Sequence, residues 1–395
     1  MIQASDFVEA ARARRFHWYA GVPCSYLAPL INYVLRDPSL RYLSMANEGD
    51  AVALMGGVAL AGGSPYGRGI SMMQNSGLGN AVSPLTSLTW TFRLPQLLIV
   101  TWRGQPGVPD EPQHQLMGAI TPELLRTMQV AWELFPTEVD AIGPALDRAT
   151  THMDESGLPY AFVMQQGTVA PFPLEAGAGA VAAPARRSEA PAVRVPHRFA
   201  PQARPSRREA LRQIVAHSPV ATSVVLASTG FCGRELYAVE DRPNQLYMVG
   251  SMGCVAPLAL GLALARPDRK VIAIDGDGAA LMRMGAFSSV GAYGPANLLH
   301  LLLDNGVHES TGGQATVSAS VSFAQVAAAC GYASSVETDD PARIAAWLDS
   351  PPLAGSKFAC LLTNARPPDD LPRPSIQPVD VKIRLMRHFQ PASAH

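Results

Sequence analysis

Residues 271–279 read Val-Ile-Ala-Ile-Asp-Gly-Asp-Gly-Ala, an apolar strand candidate that ends in a Gly-Asp-Gly turn and passes into the start of a helix. Glycines in this turn let the main chain approach a ligand closely, and the N–H groups that follow can contact phosphate. The Asp277 carboxylate would repel a phosphate, and a divalent cation between the two removes that repulsion. Mg²⁺ prefers oxygen ligands together with substrate phosphates. The pattern therefore predicts a phosphate-binding turn with Asp277 as a metal ligand.

A second polar tip follows the next strand candidate, residues 298–303, which ends in Asp304-Asn305-Gly306-Val307. Parallel strands bring both tips to the same edge of a sheet, where open α/β sheets bind ligands. The side-chain oxygen of Asn305 and the carbonyl of Val307 can then join Asp277 around one cation. A Gly-Asp-Gly turn alone is often only a tight turn. A dinucleotide site is a poorer interpretation, because no Gly-x-Gly-x-x-Gly follows a strand.

Strand candidates and helical segments also alternate in the rest of the chain. Its length of 395 residues predicts two or three domains. Strand candidates recur at 16–20, 69–73, 96–101 and 160–164, and then at 222–227, 271–275, 298–303 and 358–363. Near-continuous apolar strands separated by helices indicate parallel sheets covered on both faces. We therefore expect an α/β fold with two domains, residues 1–172 and 206–380, a Pro/Ala/Arg-rich linker, 173–205, and a tail, 381–395.

Composition excludes several classes of protein. An apolar fraction of 48% with only 16% charged residues excludes a disordered chain. Lys and Arg number 31 against 32 Asp and Glu, which argues against a nucleic-acid or membrane-surface binder. The five cysteines are far apart and form no Cys-x-x-Cys pair, so neither a disulfide framework nor a zinc site is indicated, and a reducing cytoplasm is expected. The longest apolar stretches are too short to span a bilayer, which needs about 20 residues.

The two polar tips give the sequence a family resemblance. A Gly-Asp-Gly turn followed one β-α-β unit later by an Asn-Gly tip resembles the thiamine-diphosphate enzymes, whose signature continues with two asparagines. This chain departs from it at Asp304, which stands in place of the first asparagine. The second asparagine carries the metal bond in the family, and Asn305 supplies it here. The resemblance implies thiamine diphosphate and Mg²⁺ as cofactors.

Further motifs narrow the resemblance to the phosphonopyruvate and sulfopyruvate decarboxylase group. They are Gly21-Val-Pro-Cys-Ser, Ala46-Asn-Glu-Gly-Asp-Ala-Val-Ala, Gln74-Asn-Ser-Gly-Leu-Gly-Asn, Asp110-Glu-Pro-Gln-His, Ser228-Thr-Gly, Arg234-Glu-Leu, Gly250-Ser-Met-Gly and His308-Glu-Ser-Thr-Gly-Gly-Gln. The similarity covers about 1–170 and 206–365. It implies a pyrimidine-binding domain followed by a diphosphate-binding domain, without the middle domain of larger relatives, and at least a homodimer with the cofactor between subunits.

The resemblance also implies roles for individual residues. Glu48 would hydrogen-bond the aminopyrimidine ring and activate the cofactor, Gly250 would accept its exocyclic amine, and Met252 would support its bent shape. The full set of implied cofactor-binding residues is Ser228, Thr229, Gly250, Met252, Gly276, Gly278 and Ala279. Asp277, Asn305 and Val307 would hold the metal.

The implied reaction is the non-oxidative decarboxylation of 3-phosphonopyruvate to phosphonoacetaldehyde and CO₂, which makes the chain a carboxy-lyase in phosphonate and antibiotic biosynthesis. A substrate with two anionic groups needs arginines and donor-rich loops. The candidate substrate-binding residues are Cys24, Ser25, Asn75, Ser76, Arg103 and Arg234. His114 or His308 would help to protonate the product. Sulfopyruvate decarboxylase stays open as an alternative, and so does a non-catalytic regulatory subunit, although Glu48, Asp277 and Asn305 in one chain argue against the latter.

Overall fold

The computed structural model describes residues 1–62, 67–175, 177, 204–366 and 371–389. The chain divides into two compact units, residues 1–181 and 182–395, and each is built around a six-stranded parallel sheet with helices against it. This confirms the predicted α/β class with two parallel-sheet domains. Within the described residues, no further domain stands between them. Most of the predicted linker, 173–205, lies outside the described residues, and its bounds stay a prediction.

The sheet of the first unit has the strand order β2-β1-β3-β4-β6-β5. Its strands are β1 (Phe16–Gly21), β2 (Arg41–Ser44), β3 (Arg68–Gln74), β4 (Leu97–Thr101), β5 (Ala131–Leu134) and β6 (Tyr160–Met164). Every residue of β4 is buried, as expected of a central strand covered on both faces. The edge strand β5 is partly exposed and carries the polar Glu133.

The helices of the first unit are α1 (Ala4–Ala13), α2 (Ala28–Arg36), α3 (Glu48–Leu60), α4 (Leu78–Pro84), α5 (Trp90–Phe92), α6 (Gln115–Thr127) and α7 (Val139–Ser156). Helix α3 is apolar on all sides and almost wholly buried, which marks it as the central helix of the unit. The Asn47 side chain caps this helix by accepting the Gly49 N–H at 2.8 Å. That cap fixes the first helical residue as Glu48.

The main sheet of the second unit has the order β13-β14-β10-β9-β7-β8. The strands of this unit are β7 (Ser223–Ala227), β8 (Gln245–Tyr247), β9 (Lys270–Gly276), β10 (Leu298–Asp304), β11 (Val307–His308), β12 (Gln314–Ala315), β13 (Ser334–Thr338) and β14 (Lys357–Leu362). Strands β11 and β12 form a separate antiparallel hairpin directly after β10. The sequence pattern did not predict this hairpin, because two-residue strands leave no periodicity.

The helices of the second unit are α8 (Arg207–Ala216), α9 (Phe231–Val239), α10 (Val255–Ala265), α11 (Asp277–Met282), α12 (Ala286–Tyr293), α13 (Phe323–Ala329), α14 (Pro341–Asp349) and α15 (Pro378–His388). Helix α8 begins with a capping box between Ser206 and Glu209. The predicted boundary between the second domain and the tail, at residues 380 and 381, falls inside helix α15. The helix continues across it because its apolar residues Val381 and Leu385 are buried.

Two lysines at the amino ends of strands stabilise the C-terminal end of α14. The ammonium of Lys357 donates to the carbonyls of Trp347 and Ser350 at 3.2 and 3.0 Å, and that of Lys270 donates to the Leu348 carbonyl at 2.6 Å. Carbonyls in the last turn of a helix have no N–H partner four residues on, so the lysines add hydrogen bonds there. The Trp347 carbonyl also accepts the Ser350 N–H.

Candidate active site

The two polar tips predicted from the sequence meet at the carboxyl edge of the second unit's sheet. Strands β9 and β10 are neighbours, and Gly276 pairs with Leu303, so both tips leave the sheet at the same level. A cavity opens at this point. Nine of the predicted residues line it: Thr229, Met252, Gly276, Asp277, Gly278, Ala279, Asn305, Val307 and His308.

Two buried carboxylates lie close enough at this edge to affect each other. Burial, followed by the negative charge of Asp277, raises the pKa of Asp304 to about 6. Burial also raises the pKa of Asp277, although a hydrogen bond from the Thr316 hydroxyl opposes the shift. Like charges in a buried site are unfavourable unless a cation joins them. The electrostatics of the edge therefore fit a bound cation.

The predicted metal ligands supply hard oxygen atoms. Asp277 offers a carboxylate, Asn305 an amide oxygen and Val307 a main-chain carbonyl, which together suit Mg²⁺ better than zinc. The Asn305 oxygen accepts the Val307 N–H at 3.2 Å, which ties two of the three predicted ligands into one turn. No group of three or more His, Cys, Asp or Glu side chains that could hold a metal occurs in the described part of the chain.

The glycine at position 278 makes room for His308. A methyl group on Gly278 would lie 2.4 Å from Cε1 of the His308 ring and 3.3 Å from Cε of Met252. Such a contact is shorter than side chains tolerate, so the imidazole packs against the turn only because residue 278 is glycine. The structure thus brings together three predicted residues that are far apart in the sequence.

The other predicted cofactor-binding residues follow β7 and β8. The Ser228 hydroxyl is buried and has no hydrogen-bond partner among the described residues, so it could donate a hydrogen bond to a ligand oxygen. Gly230 has a positive φ of 89°, which allows the turn from Thr229 into α9. Gly250 does not line the cavity, although Met252, two residues later, does.

In the first unit, Glu48 lies at the start of α3, after β2. Its carboxylate oxygen Oε2 accepts a 2.7 Å hydrogen bond from the Asn80 side chain. Gly77 packs against the same side chain, since a methyl group there would lie 2.5 Å from Cγ of Glu48. The motif that contains Gly77 and Asn80 therefore holds the carboxylate in one orientation.

A chain of polar contacts links the carboxyl ends of β1 and β3. The Cys24 thiol lies 3.4 Å from Oε1 of Gln74 and 3.5 Å from the Thr101 hydroxyl. The Gln74 amide donates to Ser76 at 2.8 Å. Ser25 is exposed beside Cys24. Three of the predicted substrate-binding residues thus share one edge of this sheet.

Arg103 and His114 lie around the loop that follows β4. The Arg103 guanidinium donates two hydrogen bonds to the Asp110 carboxylate, one of them 2.8 Å from Nε to Oδ2. This pairing holds the pKa of Asp110 well below its usual range. The Asn75 amide donates to the Arg103 carbonyl at 2.8 Å. His114 is buried. The predicted residues Asn75 and Arg103 are therefore in contact.

Arg234 takes a different position from the one expected of a residue that lines the cavity. Its guanidinium donates to the main-chain carbonyls of Leu371 and Pro372, and it lies over the Phe231 ring. It does not line the cavity of the second unit. Its proposed contact with substrate stays a prediction.

The sequence did not single out three charged residues beside this cavity. Arg207 and Glu309 line it, and Glu235 contacts Arg207. Of these three residues, Arg207 could have been found from the sequence, because two adjacent arginines, 207 and 208, stand at the start of a predicted helix. Glu309 was visible only as part of the His308-Glu-Ser-Thr motif.

The chain is similar in sequence to one known protein family and to several known decarboxylases. The family described as thiamine pyrophosphate enzyme, C-terminal TPP binding domain, matches residues 229–351. A phosphonopyruvate decarboxylase of Streptomyces viridochromogenes is 43% identical over 391 residues, 98% of this chain and 94% of that protein. A second, of Streptomyces hygroscopicus, is 46% identical over 84% of this chain and 80% of that protein. A sulfopyruvate decarboxylase of Methanosarcina acetivorans is 29% identical over 75% of this chain and 74% of that protein.

Solved structures with low sequence identity share the fold. The crystal structure of benzoylformate decarboxylase from Polynucleobacter necessarius superposes with a TM-score of 0.70 at 12% identity, and covers 93% of this chain and 99% of that one. None of the helices in the described residues is long and apolar enough to cross a membrane.

Proposed function

The chain belongs to the phosphonopyruvate decarboxylase family of thiamine-diphosphate enzymes, and we propose that it converts 3-phosphonopyruvate to phosphonoacetaldehyde and CO₂ with the help of Mg²⁺. It is a decarboxylase, and hence a carboxy-lyase. In the proposed reaction the bond between the carboxylate and the keto carbon breaks, and a proton takes the place of the lost carboxyl group. The observation that carries the proposal is the cavity where Asp277, Asn305 and Val307 meet.

The residues at this cavity suit a diphosphate bound through a cation. The space above the glycine turn can take phosphate oxygens, while Asp277, Asn305 and Val307 would hold Mg²⁺. The unpartnered hydroxyl of Ser228, the residue before Thr229, could donate to a phosphate oxygen. Thiamine diphosphate, when bound, supplies the nucleophilic carbon and the electron sink that loss of CO₂ requires. Thr229, Gly276, Gly278 and Ala279 would line the diphosphate, while Gly250 and Met252 would contact its ring system.

The role proposed for Glu48 is to hold a proton beside a ring nitrogen of the cofactor. Asn80 donates to one oxygen of its carboxylate, which leaves the other oxygen for the ring. A carboxylate fixed by a hydrogen bond on one side and by packing against Gly77 on the other is oriented before the ligand arrives. This arrangement supports an acid–base role better than a role as a helix-dipole partner alone.

The substrate would be recognised by donors that follow β1, β3 and β4. We assign this role to Cys24, Ser25, Asn75, Ser76 and Arg103, and a weaker contact to Arg234, whose guanidinium already binds the Leu371 and Pro372 carbonyls. A phosphonate dianion gains most from a guanidinium, because two parallel hydrogen bonds match two of its oxygens. His114 and His308 are the candidates to deliver the proton that replaces CO₂.

The assembly and setting proposed for the enzyme follow the family resemblance. We propose a homo-oligomer, at least a dimer, that acts in the cytoplasm on a small anionic 2-oxo acid in a phosphonate or antibiotic pathway. Light scattering on the purified protein tests the assembly, and a monomer that is fully active would refute it.

Sulfopyruvate is the main rival substrate, because sulfopyruvate decarboxylases are also among the relatives. The higher identity and coverage of the phosphonopyruvate decarboxylases support the phosphonate.

The reaction is tested with protein stripped of metal and cofactor. We expect ³¹P spectra to show phosphonopyruvate turning into phosphonoacetaldehyde only when thiamine diphosphate and Mg²⁺ are both added. Asp277→Ala should bind thiamine diphosphate at least about 100-fold more weakly in the presence of Mg²⁺, since even residues behind metal ligands contribute 10- to 100-fold. Asp380→Ala, an exposed carboxylate in the same unit, is the control. Turnover without cofactor, or unchanged binding in Asp277→Ala, would contradict the proposal.

A further inference from the structure

A buried arginine joins three elements beside the cavity of the second unit. The guanidinium of Arg207, at the first residue of α8, pairs with Glu235 on α9 at 2.5 Å and with Glu309 directly after β11. The three side chains are 7%, 3% and 5% exposed, respectively. Three charges removed from water to this extent form a specific arrangement, because each loses its hydration and depends on the others.

The position of Arg207 is unfavourable for α8 itself. A cation in the first turn opposes the helix dipole, and the neighbouring Arg208 adds a second one. The Ser206–Glu209 capping box already satisfies the start of this helix. A residue that breaks a local rule without benefit to its own element usually serves a site elsewhere. For Arg207 that site is the cavity, which its side chain lines.

Glu309 connects this arginine to the predicted ligands. It follows Val307 and His308, so an anchor on Glu309 fixes the Val307 carbonyl and the His308 ring within two residues. One carboxylate oxygen of Glu309 accepts from Arg207. The other is buried and has no partner among the described residues, and Glu309 lines the cavity. Water or a bound group in the cavity can supply the missing donor.

The far side of the β11–β12 hairpin is anchored as well. The Thr316 hydroxyl donates to Asp277, and the Ser318 hydroxyl donates to Asp304 at 2.9 Å. Between the anchors, Gly312 and Gly313 have positive φ values of 113° and 83°, and such a turn does not hold the hairpin in place by itself. Arg207 is thus the anchor for the strand that carries the ligands.

We propose that Arg207 is a positioning residue for the decarboxylation: through Glu309 it holds the Val307 carbonyl and the His308 ring against the glycine turn at residues 276–278. This inference rests on the proposed function of the cavity. Arg207 itself contacts neither reacting atoms nor the metal in this account. An arginine is required, because its planar fork can bind two carboxylates at once, whereas a lysine offers one point charge.

The test compares five variants: Arg207→Met, Arg207→Lys, Glu309→Gln, the double variant of Arg207→Met with Glu309→Gln, and Glu235→Gln as the control. Glu235→Gln removes a charge from the same triad but leaves the link to the hairpin intact. The readouts are the Mg²⁺ concentration needed for thiamine diphosphate binding, measured by calorimetry, then kcat and KM with saturating cofactor, and the thermal unfolding midpoint.

Arg207→Met and Glu309→Gln should each raise the required Mg²⁺ at least about tenfold and lower kcat at least about tenfold. The double variant should be no worse than the poorer single variant, because both substitutions break one link. Glu235→Gln should stay within about threefold of the unsubstituted protein in kcat. Arg207→Lys should not restore the lost function.

Three results would overturn the inference: independent, multiplying effects of the two substitutions, an equal loss in Glu235→Gln, or a lower unfolding midpoint with normal Mg²⁺ binding and kcat. If Arg207→Met does not fold, Glu309→Gln decides, since it keeps the shape of the side chain. The Mg²⁺ titration needs no turnover. Protein that binds thiamine diphosphate but does not convert phosphonopyruvate would therefore refute only the proposed substrate. Failure to bind thiamine diphosphate would refute both the proposed function and the role of Arg207.

Discussion

The Asn80 amide donates a 2.7 Å hydrogen bond to one oxygen of the Glu48 carboxylate, and the side chain of Glu48 rests against Gly77. The two contacts come from one short motif, residues 74–80, which follows β3, whereas Glu48 follows β2. Strands β2 and β3 both flank β1 in the sheet, so the motif and the glutamate meet at one edge. The carboxylate is therefore oriented by the fold before any ligand binds.

Replacement of Glu48 by glutamine should separate chemistry from binding. The amide keeps the shape and the contact with residue 80 but cannot exchange a proton with the cofactor ring, so kcat should fall at least about 100-fold. The unfolding midpoint and the affinity for thiamine diphosphate should stay close to those of the unsubstituted protein. Steady-state kinetics with saturating cofactor measure the loss. A variant with nearly full activity would remove Glu48 from the mechanism.

Gly77→Ala should impair the enzyme without direct contact with its substrate. The new methyl group would lie 2.5 Å from Cγ of Glu48, so the flexible glutamate must move away. Because a misplacement of about 1 Å can cost up to about 100-fold in rate, we expect kcat to fall at least about tenfold.

Gly79→Ala is the matched control for that substitution. A methyl group there meets no atom within 4 Å, and the residue lies in the first turn of α4, two positions after Gly77. Its kcat should change by less than about twofold, and alanine should favour the helix slightly. Equal losses in the two variants would mean that the segment, and not the position of Glu48, is sensitive.

Arg103 and Arg234 should differ in their effect on substrate affinity. Both guanidinium groups already bind protein oxygens, that of Arg103 the Asp110 carboxylate and that of Arg234 the carbonyls of Leu371 and Pro372. Arg103, however, follows β4 at the sheet edge that carries Cys24 and Ser76, whereas Arg234 lies in α9 and does not line the cavity of the second unit. A charge-assisted contact is worth about 1.5–3 kcal/mol, so Arg103→Met should lower kcat/KM for phosphonopyruvate about 10- to 150-fold. Arg234→Met should lower it less than about threefold.

Pyruvate provides the internal control, because it lacks the phosphonate. With pyruvate as substrate, Arg103→Met should behave nearly like the unsubstituted protein. If both substrates lose equally, Arg103 supports the fold through Asp110 and does not bind the phosphonate. A larger loss in Arg234→Met than in Arg103→Met would reverse the assignment.

Lys357 predicts a pH dependence of stability that is unrelated to catalysis. Burial, followed by the charge of Lys270, lowers the pKa of Lys357 from 10.5 to about 8. Between these values the unfolded chain binds more protons than the folded chain, so the contribution of Lys357 to the free energy of unfolding rises with pH from about 8 to 10.5. The full difference amounts to at most about 3 kcal/mol.

Denaturant unfolding of the unsubstituted protein and of Lys357→Met from pH 7 to 10.5 measures the contribution of Lys357 to the free energy of unfolding. The free energy of unfolding of the unsubstituted protein should rise relative to that of the variant across the upper part of the range. Parallel curves would show that the hydrogen bonds of the Lys357 ammonium to the Trp347 carbonyl and to the carbonyl and hydroxyl of Ser350 offset its burial.

The sequence predicted the parts of the fold that have a long and regular pattern. The apolar runs at 160–164 and 298–303 match β6 and β10 closely, because central parallel strands are apolar throughout. The β11–β12 hairpin was missed, since its two-residue strands depend on Gly306, Gly312 and Gly313 and not on periodicity.

The candidate site likewise contains some features that the sequence could predict and others that it could not. Asp277 and Asn305 could be found from spacing, because each directly follows the last residue of a strand. The partners of the charged residues could not be found in this way. Arg207 and Glu309 are 102 positions apart, and Arg234 turns toward residues 371 and 372, which only the three-dimensional packing reveals.

The central claim is that the cavity serves decarboxylation of a phosphonate, and internal competition tests it most directly. Equimolar phosphonopyruvate and sulfopyruvate are mixed with the protein, thiamine diphosphate and Mg²⁺, and the loss of each is followed in the same tube. The ratio of the two initial rates equals the ratio of the kcat/KM values. Phosphonopyruvate should be consumed faster than sulfopyruvate by a factor of about ten or more, the value of one charge-assisted contact that distinguishes the two anions. Preferential loss of sulfopyruvate, or loss of neither substrate, would contradict the central claim.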